Sequence, residues 1–287
     1  MMFKSVIFSV FSTILAGIFL KSIICIQACC DHDNQFEDLF DDIREHYYSP
    51  SIVPDKVPYL VSIQLNGIHI CSGVIITSWE ILTLGQCAYP FVSPSTHKLI
   101  SIYIGSTNRY KGGSTYKVSS VRVHSSFRLS NHTIPAWDIA TIRLSERIIF
   151  DDTRNQACIG LKNTGKSTII DKDATVAEWA DNNMLSLDNS LLIEWKIISD
   201  EQCNNYYSFM GNKVASAARI CAVKTSNIRN DVKMCPGDLG NPLMIDGKLI
   251  GIKMWRMGCN FPDSPVLYRN VRDYFDWIDN HTDGALC

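Results

Sequence analysis

Residues 57–88 read VPYLVSIQLNGIHICSGVIITSWEILTLGQCA and give the clearest indication of the fold. Residues 60–65 alternate between apolar and polar side chains, and they end at Asn66-Gly67, a strong hairpin signal. Similar short runs recur at residues 100–104, 117–123, 139–144, 191–197 and 249–254. Only residues 271–280 have helical spacing, with Val271, Tyr274, Phe275 and Ile278 on one face. Many short strands and one terminal helix predict an all-β barrel or sandwich.

The composition is that of a folded, secreted protein. The chain has 287 residues, of which 46% are hydrophobic and 20% are charged, and this argues against a disordered or fibrous chain. Its formal net charge of −2 gives no reason to expect a nucleic-acid partner. Eleven cysteines indicate an oxidising compartment. Their spacing does not match a zinc site, so neither a metal nor a cofactor is expected.

The amino-terminal region predicts export. Residues 6–20 form an apolar run after Lys4, which is typical of a secretory signal, and we assign residues 1–28 to a signal peptide. Lys21 interrupts the apolar character, so stable membrane insertion is not expected. Residues 29–51 are strongly acidic and are interpreted as a solvated pro-segment or linker, with a short amphipathic helix as the alternative. The remaining domain covers residues 52–287.

Two later windows complete a recognisable pattern. Residues 138–144 read DIATIRL, and residues 235–243 read CPGDLGNPL, followed by LIGIKMWRMGC at 249–259. Together with the first window, their order and spacing resemble the chymotrypsin-like serine protease family over about residues 52–287. The resemblance implies two packed antiparallel six-stranded β-barrels, an active site between them and a C-terminal α-helix.

The resemblance also locates the three positions of the catalytic triad. Gln86 stands where the family has its histidine, Leu239 where it has its nucleophilic serine, and Asp138 where it has its aspartate. An amide cannot act as a general base near neutral pH, and an isobutyl group has no lone pair with which to attack. We therefore predict that the protein is not a peptidase. The alternative is a serine-type endopeptidase that retains activity by an unusual mechanism.

The positions of the primary specificity pocket are altered as well. By the same resemblance, Lys233 lies at the pocket base, Arg256 and Val266 replace wall glycines, and Met254 replaces a serine. These larger side chains predict a filled or distorted pocket. A remaining possibility is that Lys233 and Arg256 accept a carboxylate or sulfate, although a local acid such as Asp263 is the expected partner of Lys233.

The resemblance implies a set of disulfides. Three are expected within the domain: Cys71–Cys87, Cys203–Cys221 and Cys235–Cys259. Cys158 matches the family cysteine that tethers the pro-segment, so it is expected to pair with Cys29 or Cys30. Cys287 and the other amino-terminal cysteine stay unassigned.

Family-type activation is not expected at the domain boundary. No Lys or Arg precedes Ile52, and Pro54 replaces a glycine, although Arg44 could be cut. Asp238 then lacks its usual ammonium partner, and a buried carboxylate without a partner is costly. His69 matches the residue that holds this aspartate in zymogens of the family. We predict a His69–Asp238 hydrogen bond in a zymogen-like state.

The remaining expectations concern surface chemistry and role. Asn131 and Asn280 each begin an Asn-His-Thr glycosylation triplet. The expected function is that of a secreted, non-catalytic serine protease homologue that binds or regulates in an extracellular proteolytic pathway. Its expected partners are proteins, such as active serine proteases or their substrates.

Overall fold

The computed structural model describes residues 57–129, 134–160, 166–182, 185–210, 219–225, 239–256, 264–283 and 286–287. The predicted signal peptide, residues 1–28, and pro-segment, residues 29–51, lie outside this part of the chain. So do eight of the residues singled out above: Ile52, Pro54, Asn131, Lys233, Cys235, Asp238, Cys259 and Asp263.

The first six strands close into an antiparallel barrel. They are β1 (Leu60–Leu65), β2 (Ile68–Ile75), β3 (Glu80–Thr83), β4 (Ile100–Ile104), β5 (Ser114–Val123) and β6 (Ala140–Leu144). The order around the barrel is β1-β2-β3-β6-β5-β4. Between β1 and β2 the chain reverses at Asn66-Gly67, where φ is 52° and 81°. Both residues adopt the left-handed conformation that a two-residue type I′ hairpin turn requires, as the sequence predicts.

The next strands build a second barrel. They are β7 (Cys158–Ile159), β8 (Asp173–Asn182), β9 (Leu185–Ile198), β10 (Arg219–Lys224), β11 (Pro242–Ile245), β12 (Lys248–Arg256) and β13 (Val266–Asn270). Strands β8 to β13 form an antiparallel sheet in the order β11-β8-β9-β10-β13-β12, which closes because β11 also pairs with β12. Strand β7 adds to β12 in parallel. The predicted fold of two six-stranded barrels is confirmed.

In the residues that the structure describes, three short α-helices join or follow the barrels. They are α1 (Gly85–Ala88), α2 (Asp200–Tyr206) and α3 (Phe275–Asp279). The helix expected at 271–280 begins with a 3-10 turn, Val271–Tyr274, and continues as α3. Val271, Tyr274 and Ile278 are buried on the predicted face. In the described part of the chain, no helix combines the length and the apolar character that a membrane span requires.

Two of the expected disulfides are present, Cys71–Cys87 and Cys203–Cys221. The expected bond from Cys158 to Cys29 or Cys30 is wrong, because Cys158 is bonded to Cys287, with 4.7 Å between their Cα atoms. The reason is the path of the C-terminal end of the chain, which returns beside β7. There the Ile159 N–H donates a hydrogen bond of 3.1 Å to the carbonyl of Cys287.

Candidate active site

The three triad positions lie where strands of the two barrels end or begin. Gln86 lies in α1, which follows β3 directly, and the Cys71–Cys87 disulfide ties that helix to β2. Asp138 lies two residues before β6, which pairs with β3. The short connections from a paired set of strands therefore place Gln86 and Asp138 side by side.

Gln86 connects the two barrels through its side-chain amide. Its Nε2 donates to Asp138 Oδ2 at 2.7 Å and to the main-chain carbonyl of Met254, in β12, at 3.2 Å. Its main-chain N–H donates to Asp138 Oδ1 at 2.8 Å. These bonds use both hydrogens of the amide and occupy both oxygens of the carboxylate. The arrangement holds the two barrels together at this point, and the Gln86 amide that makes these bonds is not a base near neutral pH.

Leu239 lies on a loop that both barrels hold. Its carbonyl accepts a hydrogen bond of 2.7 Å from the Ser72 N–H in β2, and its half-buried side chain packs against the core. The next residue, Gly240, has φ of +92° and donates to the carbonyl of Lys253 at 2.8 Å. A Cβ at Gly240 would lie 2.0 Å from the Ser72 oxygen, so the close approach of this loop to β2 requires glycine.

Strand β12 brings the three positions together. Lys253 bonds to the loop that carries Leu239, and the adjacent Met254 bonds to Gln86, which in turn bonds to Asp138. The structure therefore collects Gln86, Asp138 and Leu239 in one site, as the motif spacing predicts.

Burial dominates the electrostatics of Asp138. The residue is fully buried, and this desolvation raises the pKa of its carboxyl group above the ordinary value. The N–H of Gln86, the charge of Arg269, the side-chain amide of Gln86 and the N–H of Gly85 oppose that rise. Because burial is the largest cause, the ionised carboxylate of Asp138 is a net cost to stability.

We expect Asp138→Asn to change the pH dependence of stability. The pKa of Asp138 is higher in the folded state than in the unfolded state. Such a carboxyl group contributes stability at pH values below its pKa in the unfolded state, and this contribution is lost as the pH rises through its pKa in the folded state. The free energy of unfolding of the variant, minus that of the wild type, should therefore increase with pH across the acid range and then level off. Urea unfolding over a pH series measures this difference. A difference that stays flat from acid to neutral pH would contradict the prediction.

Two of the predicted pocket positions have described side chains. Met254 and Val266 are both buried, and Val266 pairs with the backbone of Arg256 across β12 and β13. That these side chains fill a specificity pocket stays a prediction. The side chain of Arg256 and the whole of Lys233 lie outside the described residues, so the suggested anion site stays a prediction.

His69 has a defined environment in the first barrel. Its Nδ1 lies 2.7 Å from the Ser62 hydroxyl oxygen, and its ring meets that of Trp179 edge-on with 5.4 Å between the ring centroids. The predicted partner, Asp238, lies outside the described residues, and the pairing stays a prediction.

A buried charged group beneath the Leu239 loop was missed by sequence reasoning. Lys253 Nζ lies 2.5 Å from Glu178 Oε2, and each of the two residues is 1% exposed. The side-chain amide of Asn241 donates to the same oxygen at 3.4 Å. The available signal was a charged residue inside each of two mostly apolar segments, LIGIKMW at 249–255 and TVAEW at 175–179.

The remaining predicted positions concern metals and glycans. Within the parts of the chain that the structure describes, no group of three or more His, Cys, Asp or Glu residues could hold a metal ion. Asn280 is exposed just after α3, where a glycan could be attached, and Asn131 lies outside the described residues.

Sequence comparisons relate the chain to trypsins. A family model described as Trypsin matches residues 50–278. The chain is 32% identical over 219 residues to a trypsin of Simulium vittatum, covering 74% of this chain and 83% of that one. It is 30% identical over 226 residues to trypsin iota of Drosophila melanogaster, covering 78% of this chain and 82% of that one.

A solved structure gives the same fold. Neuropsin, described as a serine protease expressed in the limbic system of mouse brain, matches with a TM-score of 0.67 and 23% sequence identity. The match covers 80% of this chain and 97% of neuropsin. At this identity the likeness establishes the two-barrel fold alone.

Proposed function

The chain belongs to the trypsin family of serine proteases, and from that membership we propose that it is a homologue without peptidase activity. It acts instead as a binding or regulatory protein in an extracellular proteolytic pathway. The observation that carries the proposal is the geometry of Gln86, whose amide donates to Asp138 and to Met254 where the family has its histidine.

The chemistry of the site supports the absence of catalysis. Acyl transfer needs a nucleophile and a base that takes its proton, and Leu239 and Gln86 supply neither. Loss of a complete triad lowers kcat by about 10⁶-fold in a serine protease of a different fold with the same triad, and the remaining acceleration of roughly 10³–10⁴ over water needs an open substrate site. The burial of Met254 and Val266, which the family resemblance places at the specificity pocket, supports the view that this remaining path is closed as well.

A covalent active-site probe tests the proposal. We expect that a fluorophosphonate probe does not label the purified protein and that chromogenic peptide esters are not hydrolysed above background. An active trypsin in the same buffer shows that the probe reacts, and heat-denatured protein measures non-specific labelling. Labelling that survives denaturing electrophoresis and disappears on heat denaturation would instead support an endopeptidase with an unusual mechanism.

We further propose that the domain stays in a zymogen-like state, with His69 bonded to Asp238. The hydrogen bond between Ser62 and His69 supports this proposal because it fixes the imidazole ring through one nitrogen. The sequence at Ile52 supports it too, because the residue directly before it is Ser51 and not the Lys or Arg that trypsin-like cleavage requires. An experimental structure with the Asp238 carboxylate far from His69 would contradict it.

Secretion is part of the same proposal. The apolar run at residues 6–20 and the disulfides Cys71–Cys87, Cys158–Cys287 and Cys203–Cys221 support an extracellular location. The mature protein is expected to start after the predicted signal peptide, and amino-terminal sequencing of the protein from culture medium tests this.

A further inference from the structure

Positive charge is concentrated on the first barrel. Residues 57–144 contain two acids, Glu80 and Asp138, and both are fully buried. The same span contains seven basic residues: Lys98, Arg109, Lys111, Lys117, Arg122, Arg128 and Arg143. The net charge of the whole chain is nevertheless −2, so the charges are segregated along the sequence. This barrel therefore attracts anionic partners more strongly than the overall charge suggests.

Three of these basic residues are available to a partner. Arg122 and Arg143 lie 3.8 Å and 3.0 Å from Glu80 and partly neutralise it. Lys98, Lys111 and Lys117 are exposed and form no ion pair with any described residue. Their amino groups can therefore bind carboxylates without first giving up a partner within the described chain.

Exposed apolar side chains lie beside these lysines. Ile68 is 67% exposed, Leu99 49%, Tyr110 39% and Ile70 36%. Ile68 and Ile70 lie at the start of β2, just after the hairpin turn. Hydrogen bonds join Leu99 and Tyr110 to the same hairpin, because the Asn66 N–H donates to the carbonyl of Leu99 and the His69 N–H donates to the Tyr110 hydroxyl, both at 3.4 Å. Lys98 and Lys111 are the chain neighbours of Leu99 and Tyr110, and Lys117 lies opposite Ser101 on the adjacent strands. We call the four apolar residues and three lysines the hairpin surface.

Hydrogen bonds hold the loop of this surface in place. Gln64, in β1, donates from its side chain to the carbonyl of Arg109 at 2.7 Å. Asn108 Oδ1 accepts from the N–H groups of Tyr110 and Lys111 at 3.0 Å and 2.9 Å. Gly113, at the end of the loop, donates to the Tyr103 hydroxyl at 2.7 Å. A loop fixed in this way loses little conformational entropy when a partner binds.

We propose that the hairpin surface binds an acidic segment of a partner protein in which apolar side chains alternate with carboxylates. This inference deepens the proposed binding role and rests on it. The lysines attract the carboxylates. The apolar side chains of the peptide cover Ile68 and Leu99, and removal of this apolar surface from water lowers the free energy of the complex. A sulfated glycan would use the lysines but leave the apolar side chains uncovered, so a peptide fits the surface better.

Fluorescence anisotropy with a synthetic peptide tests the proposal. The probe is a labelled peptide in which glutamates alternate with leucine and phenylalanine, and the control peptide has glutamine at every glutamate. We expect the full-length secreted protein to bind the acidic peptide, with an affinity that falls as salt increases. Binding should weaken roughly tenfold or more for the glutamine peptide and for the variant Lys98→Glu/Lys111→Glu/Lys117→Glu.

Matched variants separate the hairpin surface from general effects. Ile68→Ser/Leu99→Ser should weaken binding, whereas Lys248→Glu and Ile149→Ser, at exposed positions elsewhere, should not. Equal binding of the acidic peptide by the charge-reversed variant would overturn the proposal. Binding of a heparin oligosaccharide that is lost in the charge-reversed variant but kept in Ile68→Ser/Leu99→Ser would also overturn the proposal. Self-association of the protein that blocks peptide binding would overturn it as well.

The two proposals fail in different ways. Absence of peptide binding in a protein that the fluorophosphonate probe does not label overturns the hairpin surface and leaves the proposed function in place. Labelling by that probe overturns the proposed function, whatever the peptide result.

Discussion

Glu178→Gln is expected to lower the free energy of unfolding by about 3–5 kcal/mol, because it leaves the ammonium group of Lys253 buried without a counter-charge. Glu178 is the acid that lies 2.5 Å from Lys253 Nζ, and both side chains are almost completely removed from water. An uncompensated charge in that position must either stay buried at high cost or lose its proton. Either outcome destabilises the folded state relative to the unfolded one.

The location of the pair should extend the effect to the Leu239 loop. Lys253 accepts from the Gly240 N–H and donates to the carbonyl of Asn241, both at 2.8 Å. Displacement of Lys253 therefore disturbs the backbone that positions this loop. We expect amide hydrogen exchange at Gly240 to increase in Glu178→Gln together with the loss of global stability.

Urea unfolding with two control variants tests this explanation. Glu194→Gln changes an exposed acid on the neighbouring strand β9 and should alter stability little. The double variant Lys253→Met/Glu178→Leu removes both charges and should recover most of the lost stability, because a buried ion pair can be replaced by apolar side chains. If Glu178→Gln unfolds at the wild-type urea concentration, the pair is not buried as the structure shows.

The fold was predictable because its signals are local. The alternation in residues 60–65 and the Asn66-Gly67 turn specify the first hairpin without reference to the rest of the chain. The triad positions were also predictable, since the windows around Gln86, Asp138 and Leu239 keep their order and spacing.

The missed features depend on contacts between distant parts of the chain. Glu178 and Lys253 are 75 residues apart and lie on different strands, so the pattern within one strand cannot show their pairing. The contact of Gln86 with Asp138 also goes beyond the sequence argument. The residue type shows that the histidine is lost. Only the structure shows that the Gln86 amide donates to both the Asp138 carboxylate and the carbonyl of Met254.

Removal of the Cys158–Cys287 disulfide should cost a similar amount of stability. The bond closes a loop with a sequence separation of 129, and the chain-entropy estimate for a loop of this size is about 4–5 kcal/mol. Cys287 is exposed and Cys158 is only half buried, so serine fits at both positions without a new buried polar group. We therefore expect Cys158→Ser/Cys287→Ser to unfold at a much lower urea concentration than the wild type.

The loop length provides the internal control for that measurement. The Cys203–Cys221 bond closes a loop with a separation of only 18, for which the same estimate is about 3 kcal/mol. Because Cys203 and Cys221 are fully buried, their replacement also disturbs packing, so a loss larger than the loop estimate in that double variant measures the packing contribution. Peptide mapping without reduction then identifies the bond itself. A Cys158 peptide linked to Cys29 or Cys30, rather than to Cys287, would contradict the pairing and restore the tethered pro-segment that the sequence alone suggests.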